Sequence, residues 1–244
     1  MLMQRYRDAV DDLFKKVRDT QTENIETAGR MVADCVASGG CVFLGEICHK
    51  IEYDLIYRGG GPIFYKHFSY KLDVESPSRT RDRSDLAIQT EGKAARLAIE
   101  MSNLRPGDVL FVSSVSGRSP AVVDLAYEAV KFGVKVIAFT SMEYAVQVDP
   151  VHSSGKKLYE IATLAIDNCA PAAEAMIEVD GLEARFAAAS GIASDYILWS
   201  ITSVAVEQLM ERGITPGILK SANFPGGNDY NKTKIEPDYE KQGW

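Results

Sequence analysis

Tyr6, Val10, Leu13, Phe14 and Val17 recur at helical spacing near the start of the chain, while Arg7, Asp8, Asp11, Asp12 and Lys15 fall mainly on the opposite face. Thr20 and Glu23 have the spacing of a capping box, which predicts a second helix starting there. Gly39-Gly40 supplies residues that tolerate positive φ and would end it. Residues 1–40 are therefore expected to form an N-terminal helical hairpin, packed across one edge of a sheet or against a second subunit.

Beyond residue 40 the pattern changes. Cys41 to Gly45 is a short continuous apolar run of the kind that makes a buried parallel strand. His49 to Arg58 predicts a helix closed by Gly59-Gly60-Gly61-Pro62, and Ile63 to Phe68 a second short strand. Asp73 to Asp85 predicts an exposed loop, with Arg79, Arg81 and Arg83 interleaved with Asp82 and Asp85. Glu91 to Met101 predicts a helix, Asp108 to Ser113 a strand, Pro120 to Phe132 a helix, and Val134 to Thr140 and Leu164 to Asp167 two more strands. A last long helix is expected from Ile192 to Arg212, stopped at Gly213. Strands alternating with helices predict an α/β fold with a parallel sheet covered on both faces. The expected organisation is a helical extension over 1–40, one domain over 41–215 and a polar tail over 216–244 that folds back on the domain or a neighbouring subunit.

Composition narrows the function classes. A chain of 244 residues can bury a core of one large α/β domain. With 27 basic and 34 acidic side chains, the net charge of −7 argues against nucleic acid held by bulk charge. Hydrophobic content of 46% with 25% charged residues describes a folded chain, and no apolar run reaches the roughly 18 residues that span a bilayer. Neither a secretory signal nor a membrane partner is expected, so the protein is read as cytoplasmic. Cys35, Cys41, Cys48 and Cys169 are too few for a disulfide scaffold and read as reduced thiols. His67 and His152 stand apart in sequence without a His or Cys ligand spacing, so no metal and no cofactor are expected.

The segment richest in chemistry is Val112-Ser-Ser-Val-Ser-Gly-Arg-Ser-Pro120, directly after an apolar strand and directly before a helix. In an open α/β sheet this is the carboxyl edge, where ligands bind. Ser119 is suited to the N-cap and Pro120 to the first helical position. The first-turn amides and the positive end of the helix dipole would attract a phosphate. Hydroxyls at Ser114, Ser116 and Ser119 add hydrogen bonds, and Gly117 permits close backbone approach. No lysine of a P-loop follows and no dinucleotide fingerprint is present, which favours a small phosphorylated metabolite. A serine-rich turn with an ordinary N-cap is the plain alternative.

The run from Ser113 to Ser141, with its S-x-S-G-x-S loop, A-x-x-x-G helix end and V-I-A-x-T strand, resembles the SIS (sugar isomerase) domain family. The resemblance spans about residues 25 to 225. It is nearest to uncharacterised stand-alone bacterial SIS proteins labelled phosphoheptose-isomerase-like, on the segments 54–60, 152–160, 166–169 and 221–231. It implies a three-layer αβα fold with a flavodoxin-like sheet and a homodimer or homotetramer. It also implies a phosphorylated sugar seated on Ser114, Ser116 and Ser119, with Gly117, Thr140 and Asn223 completing the substrate-binding set.

Moving a proton between adjacent carbons requires a base and a second group that shuttles the hydroxyl proton. The resemblance aligns Asp54 with the carboxylate base of phosphoheptose isomerases; Asp54 is equally placed to pair with Arg58 at i+4. Glu91 is the second carboxylate to consider, or a first-turn residue favoured by the helix dipole. His49, near the lip of the expected cleft, suits the shuttle. Ser153, Ser154 and Lys156 form a further polar turn, whose lysine either meets a sugar phosphate or is simply exposed.

Two features depart from phosphoheptose isomerases: the loop Leu44 to His49 lacks their glycine- and serine-rich pattern, and the last long helix contains no histidine. An isomerase of a phosphorylated sugar or amino sugar is the expected activity. A lyase or etherase acting on an amino-sugar phosphate and a non-catalytic phosphosugar sensor are the alternatives. About 40 residues before the first strand leave too little room for the DNA-binding module that usually accompanies such sensors.

Overall fold

The computed structural model describes residues 1–45, 49–82, 84–86 and 90–244. Cys48 and Arg83, both named above, lie outside the described residues, as does most of the loop after the first strand. Five parallel strands form the main sheet in the order β2-β1-β3-β4-β5. They are β1 (Val42–Leu44), β2 (Tyr65–His67), β3 (Val109–Ser113), β4 (Lys135–Thr140) and β5 (Leu164–Asp167). Every residue of β3 and all but the first of β4 are buried, which is why these segments read as near-continuous apolar runs. Asp108 ties two strand starts together, its carboxylate accepting from the amides of Cys41 and Arg105 at 2.8 Å each.

One face of the sheet is covered by α1 (Leu2–Ala37) and α6 (Ser190–Glu211), whose core includes Val17, Val32, Phe111, Phe139, Ile197 and Ile201. The other is covered by α2 (Lys93–Met101) and α3 (Pro120–Phe132), around Ile99, Leu110, Val123, Ala126 and Val136. This is the expected three-layer arrangement.

The N-terminal hairpin is not formed: α1 is one continuous helix of 36 residues. Its buried stripe, Leu13, Val17, Gln21, Ile25, Ala28 and Val32, runs through the position where a break was expected. Instead of capping a new helix, Thr20 donates its hydroxyl back to the carbonyl of Lys16 at 2.8 Å, and Thr22 does the same to Arg18 at 2.7 Å. A similar correction applies to His49–Arg58, where only a 3₁₀ turn over Ile51–Asp54 forms. His49, Lys50 and Tyr57 adopt left-handed backbone angles, which a continuous α-helix cannot accommodate.

After β4 come two short helices, α4 (Met142–Ala145) and α5 (Leu158–Ile161). An antiparallel pair absent from the sequence reading, β6 (Ala175–Ile177) and β7 (Phe186–Ala188), precedes α6. The C-terminal segment pairs with the chain before β2: Leu219 donates to Gly61 at 2.9 Å and Ile63 donates to Gly217 at 2.8 Å. It continues through α7 (Gly227–Tyr230), a π turn over Asn231–Ile235 and α8 (Glu236–Gln242). Among the described residues no helix is long and apolar enough to cross a membrane.

Candidate functional site

Strand β3 delivers the chain into the serine loop at the carboxyl edge of the sheet, and α3 leaves it. Ser119 is the N-cap of α3, its carbonyl accepting from the amides of Val122 and Val123, with Pro120 following as the first helical residue. The Ser114 hydroxyl donates to the Ser119 hydroxyl at 3.0 Å and accepts from the Ser119 amide at 3.4 Å, closing the loop on itself. Gly117 donates its amide to the Ser114 carbonyl at 2.9 Å, with a φ of +69°.

Loop carbonyls are committed to the protein body. Val115 O accepts from Ser141 N at 2.9 Å and from Thr140 Oγ1 at 3.2 Å, and Gly117 O accepts from Leu158 N at 2.8 Å. Turned inward, these oxygens do not repel an anion arriving from the other side. The loop is thus rigidly held before any ligand arrives.

Ser114, Ser116 and Ser119 all line a cavity of about 570 Å³, a size ordinary for a small-molecule site. Its other walls include Phe68, Tyr70, Leu125, Tyr144, His49 and Glu174. Gly117 and Thr140 are buried beneath the loop, shaping it from below. Burial, with the Asp124 carboxylate nearby, pushes the Tyr70 phenol above its usual range, so it faces the cavity as a neutral hydroxyl.

Of the catalytic candidates, His49 lines the cavity, its Nε2 3.9 Å from Glu174 Oε2. Asp54 does not: it is paired with Arg58 on the turn after β1. Glu91 is also outside, where both its oxygens are bonded to Ser153, at the amide (3.2 Å) and at the hydroxyl. Those bonds to Ser153, and the neighbouring His152, hold the Glu91 carboxyl below the usual range. Asn223 is exposed on a turn whose neighbour Ser221 packs against Gly59, and is not part of the cavity wall. Lys156 is exposed.

The sequence reading missed Tyr70, Tyr144 and Glu174. None sits in a motif: Tyr70 follows β2, Tyr144 lies in a four-residue helix, and Glu174 falls in an aperiodic stretch that only the β5–β6 connection brings to the cleft. Glu174 accepts a hydrogen bond from Ser190 at 3.4 Å, at the first residue of α6.

Histidines far apart in sequence do gather acidic neighbours in space. His152 Nε2 lies 3.0 Å from Asp124 Oδ1 and 3.6 Å from Glu91 Oε1, and ligand atoms of the three lie within 4.8 Å of one another. His152 Nδ1 is 2.8 Å from the Ser154 hydroxyl and accepts from the Ser154 amide at 3.1 Å, which assigns the Nε2 proton to the bond with Asp124. A group able to ligate a metal thus exists beside α3, where linear spacing offered none.

A five-stranded parallel sheet with helices on both faces and a serine loop at the N-terminus of α3 defines an α/β domain of the SIS type. The SIS domain pattern matches residues 5–141. With relatives of known family aligned along nearly the whole chain, this protein belongs to the SIS-domain family, in the UPF0309 group. A UPF0309 protein from Streptomyces avermitilis is 33% identical over 232 residues, covering 94% of this chain and 92% of that protein. One from Shouchella clausii is 33% identical over 239 residues, covering 96% and 95%. Among solved structures, a phosphoheptose isomerase from Neisseria gonorrhoeae superposes with a TM-score of 0.52 at 16% identity, covering 84% of this chain and 98% of that one. The Vibrio vulnificus NanR protein, complexed with ManNAc-6P, superposes with a TM-score of 0.50 at 11% identity, covering 99% of this chain and 70% of its own. At these identities the likeness establishes the fold.

Proposed function

We propose that this protein binds a phosphorylated sugar and isomerises it by proton transfer between adjacent carbons. The observation that carries the reading is the convergence of Ser114, Ser116 and Ser119 on one cavity at the N-terminus of α3. Hydroxyls and helix amides, with no lysine among the described residues that line the cavity, suit a phosphate monoester carried by a small molecule. The ManNAc-6P bound by a protein of the same fold supports that ligand class. The rest of the cavity supplies what an aldose–ketose isomerase needs: an imidazole at His49 and hydroxyl groups at Tyr70 and Tyr144.

A homodimer or homotetramer accompanies this reading. The first turns of α1 stand exposed at Met1, Leu2, Met3 and Tyr6, an apolar end suited to a second subunit. A cytoplasmic location also accompanies it, with Cys35, Cys41 and Cys169 as free thiols.

The test is a proton and phosphorus NMR time course in heavy water over a panel of pentose, hexose, heptose, amino-sugar and muramic acid phosphates. Deuterium entering carbon 1 or 2 of one sugar is the expected result. Selective broadening of one phosphate signal without exchange would establish a sensor instead, and release of a substituent would establish a lyase.

A further inference from the structure

The two carboxylates nominated from sequence are both occupied away from the cavity, Asp54 by Arg58 and Glu91 by Ser153. Among the described residues that line the cavity, one carboxylate remains, Glu174. Its location is set by an unusual backbone. Ala173 and Glu174 are consecutive non-glycine residues with φ of +61° and +71°, a strained conformation that persists only where surrounding structure imposes it. Here the imposing bonds are visible: Glu174 N donates to Pro171 O at 2.9 Å, and Glu174 O accepts from Ala189 N at 2.9 Å. Immediately afterwards the chain enters β6, paired with β7.

This clamp turns the Glu174 side chain back toward the cleft, where Ser190 Oγ steadies one oxygen. The start of a 22-residue helix is a position that favours a carboxylate. Beside it stands His49, itself held in the left-handed region at φ +66°, with Nε2 3.9 Å from Glu174 Oε2. His49, beyond β1 in the chain, and Glu174, beyond β5, thus bring an imidazole and a carboxylate to one cavity that the serine loop also lines.

We infer that Glu174 is the base that carries the proton between the two sugar carbons, with His49 beside it as the hydroxyl shuttle; this rests on the isomerase reading above. Glu174 removes the proton from the hydroxyl-bearing carbon next to the carbonyl. The freed electron pair forms the carbon–carbon double bond of an enediol as the carbonyl oxygen takes a proton from His49. In the second half His49 recovers a proton from the other hydroxyl, that carbon becomes the new carbonyl, and Glu174 returns its proton to the adjacent carbon. Both groups end as they began, and no oxidant or reductant enters.

The experiment compares wild-type protein with Glu174→Gln and Glu174→Asp, reading deuterium exchange into the sugar and, separately, affinity by phosphorus NMR titration. Glu174→Gln is expected to slow exchange at least about 100-fold while leaving affinity for the phosphosugar unchanged. Glu174→Asp, with the carboxylate withdrawn by one methylene, is expected to slow exchange by a smaller factor at unchanged affinity; if the glutamine variant does not fold, exchange at the wild-type rate in Glu174→Asp would overturn the assignment. Exchange at the wild-type rate in Glu174→Gln would overturn the assignment and leave the isomerase reading standing. Absence of exchange in the wild-type protein with every sugar of the panel would overturn both.

Discussion

The Ser114 hydroxyl donates to the Ser119 hydroxyl at 3.0 Å, joining the end of β3 to the N-cap of α3 across five residues of loop. Because the Ser119 hydroxyl accepts no first-turn amide of α3 and meets Ser114 instead, both hydroxyls stay on the cavity side of the loop. Ser116, between them, carries no structural bond to Ser114 or Ser119 and is free to meet a ligand.

Ser116→Ala is therefore expected to weaken phosphosugar binding without altering the fold. A hydrogen bond to a charged group is worth about 1.5–3 kcal/mol, so the dissociation constant should rise roughly tenfold or more. Titration of the best ligand from the panel checks this, and unchanged affinity would make the loop a turn and nothing else.

Gly117 sits at φ +69°, and a Cβ added there would lie 3.2 Å from Thr140 Oγ1 and 3.4 Å from Ala145 Cβ. Gly117→Ala meets strain of about 1–2 kcal/mol from the left-handed backbone alone. It should lower the urea midpoint and weaken ligand binding together, since relaxing the strain moves the loop. A variant as stable as wild type would show that the loop tolerates a second conformation.

Gly29, buried on α1, allows close packing on α6: a Cβ there would come within 2.5 Å of Val204 Cβ and Cγ1 and 3.0 Å of Ile201 O. Gly29→Val should destabilise the fold by roughly 1–3 kcal/mol through overpacking, read as a shift in denaturant midpoint. No shift would mean that α1 and α6 can separate without loss.

The Glu143 carboxyl is held below the usual range, chiefly by the amide of Ala172 donating to it at 3.1 Å, with Lys16 of α1 adding its charge. A carboxyl whose folded value lies below its unfolded one stabilises the fold above the unfolded value, about 4.3, and loses that contribution as pH falls through the folded value. Glu143→Gln should lower the thermal midpoint near neutral pH and converge on wild type in acid. A constant difference across the series would remove Glu143 from the acid response.

The parallel sheet was legible from the chain itself because strands buried on both faces must be apolar throughout, and segments such as Val109–Val112 and Val136–Phe139 can satisfy nothing else. The serine loop was legible for a local reason too: a strand, a hydroxyl-rich turn with one glycine and a Ser-Pro helix start are contiguous in sequence. Tertiary packing alone decided the rest. Whether Thr20 capped a helix or bonded back within one depended on tertiary burial of the α1 stripe on either side of it, with Gln21 accepting from the Asp167 amide at the end of β5 at 3.1 Å and Ile25 buried in the core. Among the described residues, which acid lines the cavity depended on packing that brings Glu174 beside His49, 125 residues away in the chain, and on backbone angles that no periodicity announces. Local pattern determines what a segment becomes; convergence of distant loops determines which side chains meet, because that is set by packing across the sheet and not by spacing along it.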